Sequence, residues 1–350
     1  MSAAYTRPQD RVPRILLIYT GGTIGMIEDS VSGALRPFDF SHLIDNVPKL
    51  EKLGYDIENI SFEPPIDSSD MNPTRWKEIA QLIAERYNGY DGFVLLHGTD
   101  TMAYTASALS FMLEGLRKPV IITGSQLPIG EVRTDGEENL ITAVQIAAAT
   151  DTSGMPLVQE VAILFEDYLW RGNRATKMSA DNFNAFKSNN FSPLAKIGLD
   201  IHFNPDALYR PAPGVPFSPR YNLDTGVMFV DLFPGLRIST LNHLLSTPGI
   251  KGIVMRTYGA GNAPTNDDFI DAIRSAVDNG LVIVNVTQCV NGGVNTRYEA
   301  GDKLASAGVT SGRDSTAEAA ITKMMYLFGQ GLSPEAVRYQ FDLPLRGEIS

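Results

Sequence analysis

Three stretches of this chain set hydroxyl, carboxylate and amine side chains where apolar runs end. Thr99 and Asp100 sit in Leu95–Met102, directly after the apolar run Gly92–Leu96 and before a helical pattern that runs from Met102 to Leu116. A hydroxyl beside a carboxylate at such a place suits chemistry, because open parallel sheets bind ligands beyond the carboxyl ends of their strands. The same residues, with Thr101, also suit helix capping, which needs no ligand. Thr20-Gly21-Gly22-Thr23-Ile24-Gly25 follows a second apolar run, Ile15–Tyr19. Its spacing is not the GxGxxG of dinucleotide sites. What it offers is exposed backbone amides and two hydroxyls. Arg171, Arg174 and Lys177 form the most cationic stretch of an otherwise acidic chain. A threonine hydroxyl attacks only after a base withdraws its proton. A lysine serves as that base only when neutral, a state that burial and neighbouring cations favour.

The elements that must carry these residues read as α/β. Gly92–Leu96, the helix from Met102 and Val120–Gly124 make a βαβ unit. Val161–Phe165 is a further strand. Trp76, Ile79, Leu82 and Ile83 recur at helical spacing, with Ser69 or Asp70 as the expected cap. Another helix is expected from Glu137 to Ala149, and Met26–Phe40 reads as loop. From 205 to 224 the prolines crowd (Pro205, Pro211, Pro213, Pro216, Pro219), and proline neither continues a helix nor serves a central strand. Beyond them a second αβ pattern begins. Its strands are expected at Gly226–Val230, Gly252–Arg256 and Leu281–Val286, and its helices at Asp267–Asn279, Thr316–Phe328 and Pro334–Tyr339. At 350 residues the chain exceeds what one core usually serves. The expected division is residues 1–204, a linker 205–224, and 225–350.

Composition narrows the function. An apolar fraction of 43% and a charged fraction of 20% are those of an ordinary globular protein. A formal net charge of −11 argues against a phosphate backbone as partner. The residues before Arg14 lack an apolar core of export-signal length, and no run is long enough to span a membrane. Cys289 is the single cysteine, which excludes an intrachain disulfide and suits a reducing compartment. With no histidine nearby it reads as a buried small hydrophobe. His42, His97, His202 and His243 show no metal-ligand spacing. His97 is expected to pack or hydrogen-bond at its strand end. Neither a metal nor another cofactor is expected.

The motifs occur in a specific order. Thr20–Gly25, Asp67-Ser68-Ser69-Asp70-Met71, His97–Met102, Thr123-Gly124-Ser125-Gln126 and Arg171–Lys177 are followed by Tyr258–Pro264 and Thr287-Gln288-Cys289. In this the chain, from about residue 14 to its end, resembles the bacterial-type cytosolic (type I) L-asparaginases of the asparaginase/glutaminase family. The resemblance implies a larger N-terminal α/β domain, a smaller flavodoxin-like C-terminal one, and a cytoplasmic homodimer or homotetramer. It implies hydrolysis of L-asparagine to L-aspartate and ammonia through a threonine acyl-enzyme. Thr23 falls on the nucleophile, and Thr99, Asp100 and Lys177 on the second catalytic group. Asp100 would take the substrate ammonium, while Ser68, Ser69 and the Asp67 backbone take its carboxylate. One departure concerns a tyrosine that many relatives carry on a loop after the nucleophile. Ser30–Arg36 has none here, and Tyr298 resembles the C-terminal tyrosine used by some cytosolic members. Thr176, Arg256, Asn262 and Cys289 match positions of a second, allosteric asparagine site in some relatives. Two rival readings are the amidase subunit of an archaeal-type tRNA-dependent amidotransferase, expected to carry an extra N-terminal domain, and a non-catalytic amino-acid-binding protein. Binding alone would not require both threonines and the lysine.

Overall fold

The computed structural model describes residues 11–28, 35–37, 47–295 and 299–350. Its contacts divide the chain after Tyr221 into two units.

In the first unit, β1 (Arg14–Tyr19) runs into a 3-10 turn at Thr23–Gly25. The expected loop after it contains a short antiparallel pair, β2 (Met26–Glu28) with β3 (Leu35–Pro37). Then come β4 (Asp56–Ser61), α1 (Pro73–Arg86), β5 (Gly92–Leu96), α2 (Met102–Met112), β6 (Val120–Thr123) and α3 (Gly136–Ala147). β7 (Val161–Phe165), β8 (Tyr168–Arg171), β9 (Thr176–Lys177), β10 (Phe186–Lys187), β11 (Ala195–Ile197) and β12 (Ile201–Phe203) complete the unit. Eight strands form one sheet in the order β12-β11-β8-β7-β6-β5-β1-β4. From β7 to β4 the neighbours are parallel, whereas β8, β11 and β12 pair antiparallel at the other edge. The inner strands of the parallel part, β1, β5, β6 and β7, lack polar alternation because both faces are covered, whereas the edge strand β4 alternates. Ile15–Ile18 and Phe93–Leu96 are wholly buried. Each such side chain contributes about 1.5–3 kcal/mol by leaving water.

The chain passes from β1 to β4 on one side and then returns to β5 on the other, so the strand order reverses between β1 and β5. Such a reversal leaves a crevice at the carboxyl ends of the two strands. Tyr19 lies opposite Leu96 in the register, so the Thr20 turn and the His97 turn leave the sheet side by side.

Local chemistry decides the helix starts. Asn72, not Ser69 or Asp70, caps α1, its side chain accepting from the amides of Thr74 and Arg75 with Pro73 at the first helical position. Asp67 instead caps the 3-10 turn Ser68–Asp70. Thr101 occupies the cap position of α2, but its hydroxyl donates to the Ser68 carbonyl at 2.7 Å rather than closing the helix. The proline-rich stretch belongs to this unit as far as Tyr221. The Arg117 guanidinium donates to the Ala212 carbonyl, Ser218 N–H to Glu114 and Arg220 N–H to Met112.

The second unit has four parallel strands in sequence order: β13 (Val227–Asp231), β14 (Gly252–Thr257), β15 (Val282–Thr287) and β16 (Thr310–Ser311). Its helices are α4 (Ile238–Leu245), α5 (Asp267–Asp278), α6 (Glu299–Ser306), α7 (Ala317–Gly329) and α8 (Pro334–Phe341). α7 carries Lys323, 1% exposed, inside an apolar helix. Its ammonium donates to the carbonyls of Phe341 (2.8 Å) and Leu343 (2.7 Å) and to Glu348 Oε1 (2.5 Å). Glu348, wholly buried, also accepts from the amides of Leu345 and Arg346 at 3.1 and 2.7 Å. Burial pulls the proton affinity of Lys323 below that of a free lysine, and Glu348 beside it opposes the pull. Among the described residues no helix is long and apolar enough to cross a membrane.

Candidate active site

Three backbone segments meet at the β1–β5 crevice with no room between them. Thr20 begins the assembly. Its amide and hydroxyl both donate to the Leu96 carbonyl, at 3.0 and 2.9 Å, and its own carbonyl accepts from Ile66 N–H at 2.6 Å. Gly22 follows at φ +93°, a conformation that side chains resist. A Cβ there would fall 2.5 Å from the Gly98 nitrogen. A Cβ on Gly98 would fall 2.5 Å from Ser68 Oγ. The turns that carry Thr23, Thr99 and Ser68 are therefore packed against one another, and glycine is what permits it.

Tyr19 braces the first of these turns from beneath. Its hydroxyl donates to the Gly25 carbonyl at 3.3 Å and reaches that of Gly22 at 3.5 Å, while its ring packs where a Gly25 side chain would stand. Burial pushes its hydroxyl up to about 12, so it remains a donor at neutral pH. Thr23 itself is half-buried, at the head of the 3-10 turn.

Thr99 and Asp100 share one amine. Lys177 Nζ, on β9, donates to Thr99 Oγ1 at 2.8 Å and to Asp100 Oδ1 at 2.7 Å. The lysine side chain is 18% exposed and the aspartate 68%, so the carboxylate faces solvent while the amine lies behind it. Of the three cations in this stretch, Lys177 is the one seen on Thr99 and Asp100. Arg171 is buried against Glu160, Nε to Oε2 2.6 Å, and its guanidinium lies 4.4 Å from the centre of the Phe191 ring. Arg174, 2% exposed, stands over the same ring. Both arginines hold the loop together.

The Asp67–Asp70 turn presents a second set of donors. Asp67 Oδ1 accepts from Ser69 N–H at 2.9 Å and from its hydroxyl at 2.8 Å. These bonds, the backbone one foremost, hold the Asp67 carboxyl below the usual range. Ser68 is buried beside Gly98, and Ser69 is exposed.

His97, expected to pack or hydrogen-bond at its strand end, does both. The ring is 1% exposed. Nδ1 lies 2.6 Å from the Gly98 carbonyl, and Nε2 lies 2.9 Å from Thr105 Oγ1, which in turn accepts from Trp76 Nε1 at 2.9 Å. Burial lowers its pKa from 6.5 to about 4, against a smaller opposite pull from the Gly98 carbonyl. In the unfolded chain the imidazole takes up its proton near the higher value. The neutral ring's contribution is therefore complete above pH 6.5 and lost as pH falls toward 4, worth about 3 kcal/mol in all. The chain has four histidines, so 15N-histidine labelling gives a simple spectrum. The His97 ring is expected to keep its neutral signature at pH 5 in the folded protein; a protonated signature there would contradict the burial argument.

The remaining expected positions are divided between the two units. Thr176 precedes Lys177 on β9, whereas Arg256, Asn262 and Cys289 belong to the second unit, where β14 and β15 end. Arg256 faces Asp231, Nε to Oδ1 3.3 Å, and Asn262 closes a turn with Tyr258. Cys289 is exposed, not buried as expected. It lies past the end of β15, its amide donating to Thr287 Oγ1 at 2.9 Å. Tyr298 and His42 lie outside the described residues. Among the described residues no group of three or more His, Cys, Asp or Glu is placed to hold a metal ion.

Comparison with known proteins agrees over both units. The family model "Asparaginase, N-terminal" matches residues 14–209, and "Glutaminase/Asparaginase C-terminal domain" matches residues 226–341. L-asparaginase 1 of Escherichia coli (strain K12) is 43% identical over 346 residues, which is 96% of this chain and 98% of that protein. The crystal structure of L-asparaginase I from Vibrio cholerae superposes with a TM-score of 0.87 at 38% identity, over 97% of this chain and all of that one. The thermostable L-asparaginase of Thermococcus kodakarensis superposes with a TM-score of 0.86 at 32% identity, over 96% and 99% of the two chains. With one family spanning both units and the glycine-packed crevice within the first, the chain belongs to the asparaginase family.

Proposed function

We propose that this protein is a cytoplasmic L-asparaginase, hydrolysing the side-chain amide of L-asparagine to L-aspartate and ammonia. What carries the reading is Lys177, whose amine bridges Thr99 Oγ1 and Asp100 Oδ1 at 2.8 and 2.7 Å. A binding protein has use for the carboxylate but not for an amine set on a hydroxyl.

The ligand's α-ammonium is taken by Asp100, and its α-carboxylate by Ser68, Ser69 and the Asp67 backbone. With the ammonium on Asp100, the remaining polar partner of Lys177 is the Thr99 hydroxyl. Thr23 Oγ then attacks the amide carbon, its proton passing to the departing nitrogen. A C–O bond forms and the C–N bond breaks with release of ammonia. Water, relieved of a proton through Thr99 and Lys177, attacks the acyl group and returns the Thr23 hydroxyl and aspartate. Amides near Gly22 and Thr99 stabilise the oxyanion of both steps. The working form is a homo-oligomer. Asparagine also acts as a regulator, as the resemblance to the type I enzymes implies.

One kinetic series tests this. Purified protein is expected to release ammonia from asparagine with a sigmoidal dependence on its concentration. Asp100→Ala is expected to lose about 10²- to 10³-fold in kcat/KM, the cost of truncating one side of a charge pair. Near-normal activity in that variant would remove Asp100 from the site. A hyperbolic curve with one asparagine bound per subunit would remove the regulatory role.

A further inference from the structure

Behind the crevice a line of hydrogen bonds runs from α1 through α2 to the end of β5, and its direction is fixed by donor chemistry together with the burial of a neutral ring. Trp76 Nε1 can only donate, and it meets Thr105 Oγ1 at 2.9 Å. The Gly98 carbonyl can only accept, so the His97 nitrogen 2.6 Å from it carries a proton. The ring is buried and neutral, holding a single proton, which is then on Nδ1. Nε2 is left as an acceptor, and the Thr105 hydroxyl, 2.9 Å away, donates to it. Trp76 feeds Thr105, Thr105 feeds His97, and His97 feeds the Gly98 carbonyl.

That carbonyl belongs to the peptide joining Gly98 to Thr99. In a trans peptide the N–H points opposite to the C=O. Anchoring the Gly98 oxygen inward therefore turns the Thr99 amide outward, toward the crevice. A donor on the carbonyl also polarises the same peptide, and bonds in series strengthen one another. Gly98 has little room to escape this hold, since Ser68 and Gly22 occupy the space where its side chain would stand.

We infer that His97 is a positioning residue, held by Thr105 and Trp76 in the Nδ1–H tautomer, which fixes and polarises the Gly98–Thr99 peptide so that the Thr99 amide serves as an oxyanion donor. The kinetic part of this rests on the proposed amide hydrolysis, whereas the tautomer does not.

The test uses the full-length protein labelled with 15N-histidine. Long-range 1H–15N correlation of wild type is expected to show His97 protonated at Nδ1 and bare at Nε2; an Nε2–H ring overturns the inference, whatever the protein hydrolyses. Thr105→Val removes the donor to Nε2. It is expected to release the ring to the other tautomer and to lower kcat on asparagine about 10- to 100-fold, the scale of a misplaced or weakened oxyanion donor. KM should change far less, since the Asp100 grip is untouched. Thr105→Ser keeps the hydroxyl and should restore both the Nδ1–H spectrum and most of kcat. A Thr105→Val protein of native thermal midpoint and wild-type kcat refutes the positioning role. Should Thr105→Val fail to fold, the wild-type spectrum and the kcat of Trp76→Phe, which weakens the line one step back, decide it. The loss in kcat is then expected to be smaller than tenfold, and an Nε2–H ring again refutes.

Discussion

Lys177→Met is expected to lower kcat/KM on asparagine by roughly 10³- to 10⁴-fold, the upper range for removing a proton-transfer group that also activates a hydroxyl. The methionine keeps the length and apolar stem of the lysine, and at 18% exposure the side chain is no part of the deep core. The thermal midpoint should therefore stay within a few degrees of wild type. Two partners lose their donor at once, the Thr99 hydroxyl and the Asp100 carboxylate. Lys177→Arg is the more telling companion. It supplies a donor beside Asp100 again but cannot serve as a base, so it should rescue binding more than turnover. A Lys177→Met enzyme within tenfold of wild type would take the lysine out of the reaction.

The largest stability effect is expected from Lys323→Met in the second unit. Removing the ammonium leaves the Glu348 carboxylate buried with only two amide donors, and two carbonyls without the partner they have now. Breaking a buried pair from one side costs about 3–5 kcal/mol, or roughly 10 °C in thermal midpoint. Most of that cost is the orphaned charge, so the double variant Lys323→Met with Glu348→Gln should be more stable than Lys323→Met alone. Denaturant titration of the three proteins checks the order. If the double variant is the less stable, the pair contributes by attraction, and the orphaned-charge account fails.

Why some of this was readable and some was not follows from the range of each interaction. Thr99 and Asp100 could be picked out because a glycine and a polar pair ended an apolar run, a local pattern with a local cause. The αβ alternation was equally legible, as burial on both faces leaves strands without polar alternation. Lys177 is adjacent in sequence to neither threonine, and only the ordered set of motifs tied it to them. The neighbouring arginines misled, because composition cannot tell a cation facing a ligand from one buried on Glu160 and an aromatic ring. Nothing local links Trp76, Thr105 and His97, which come from two helices and a strand end. Lys323 did carry a signal that went unused: it stands alone among Ala, Ile, Met, Tyr, Leu and Phe in a helix buried nearly all round. Such a lysine needs a partner, though sequence could not say that the partner is seven residues beyond α8.

The exposed thiol at Cys289 has a practical use. With one cysteine in the chain, and that one open to solvent past the end of β15, a maleimide dye attaches at a single address without any engineering. The fluorophore then sits past the end of β15, where its emission can follow the unfolding of the second unit optically, independent of turnover.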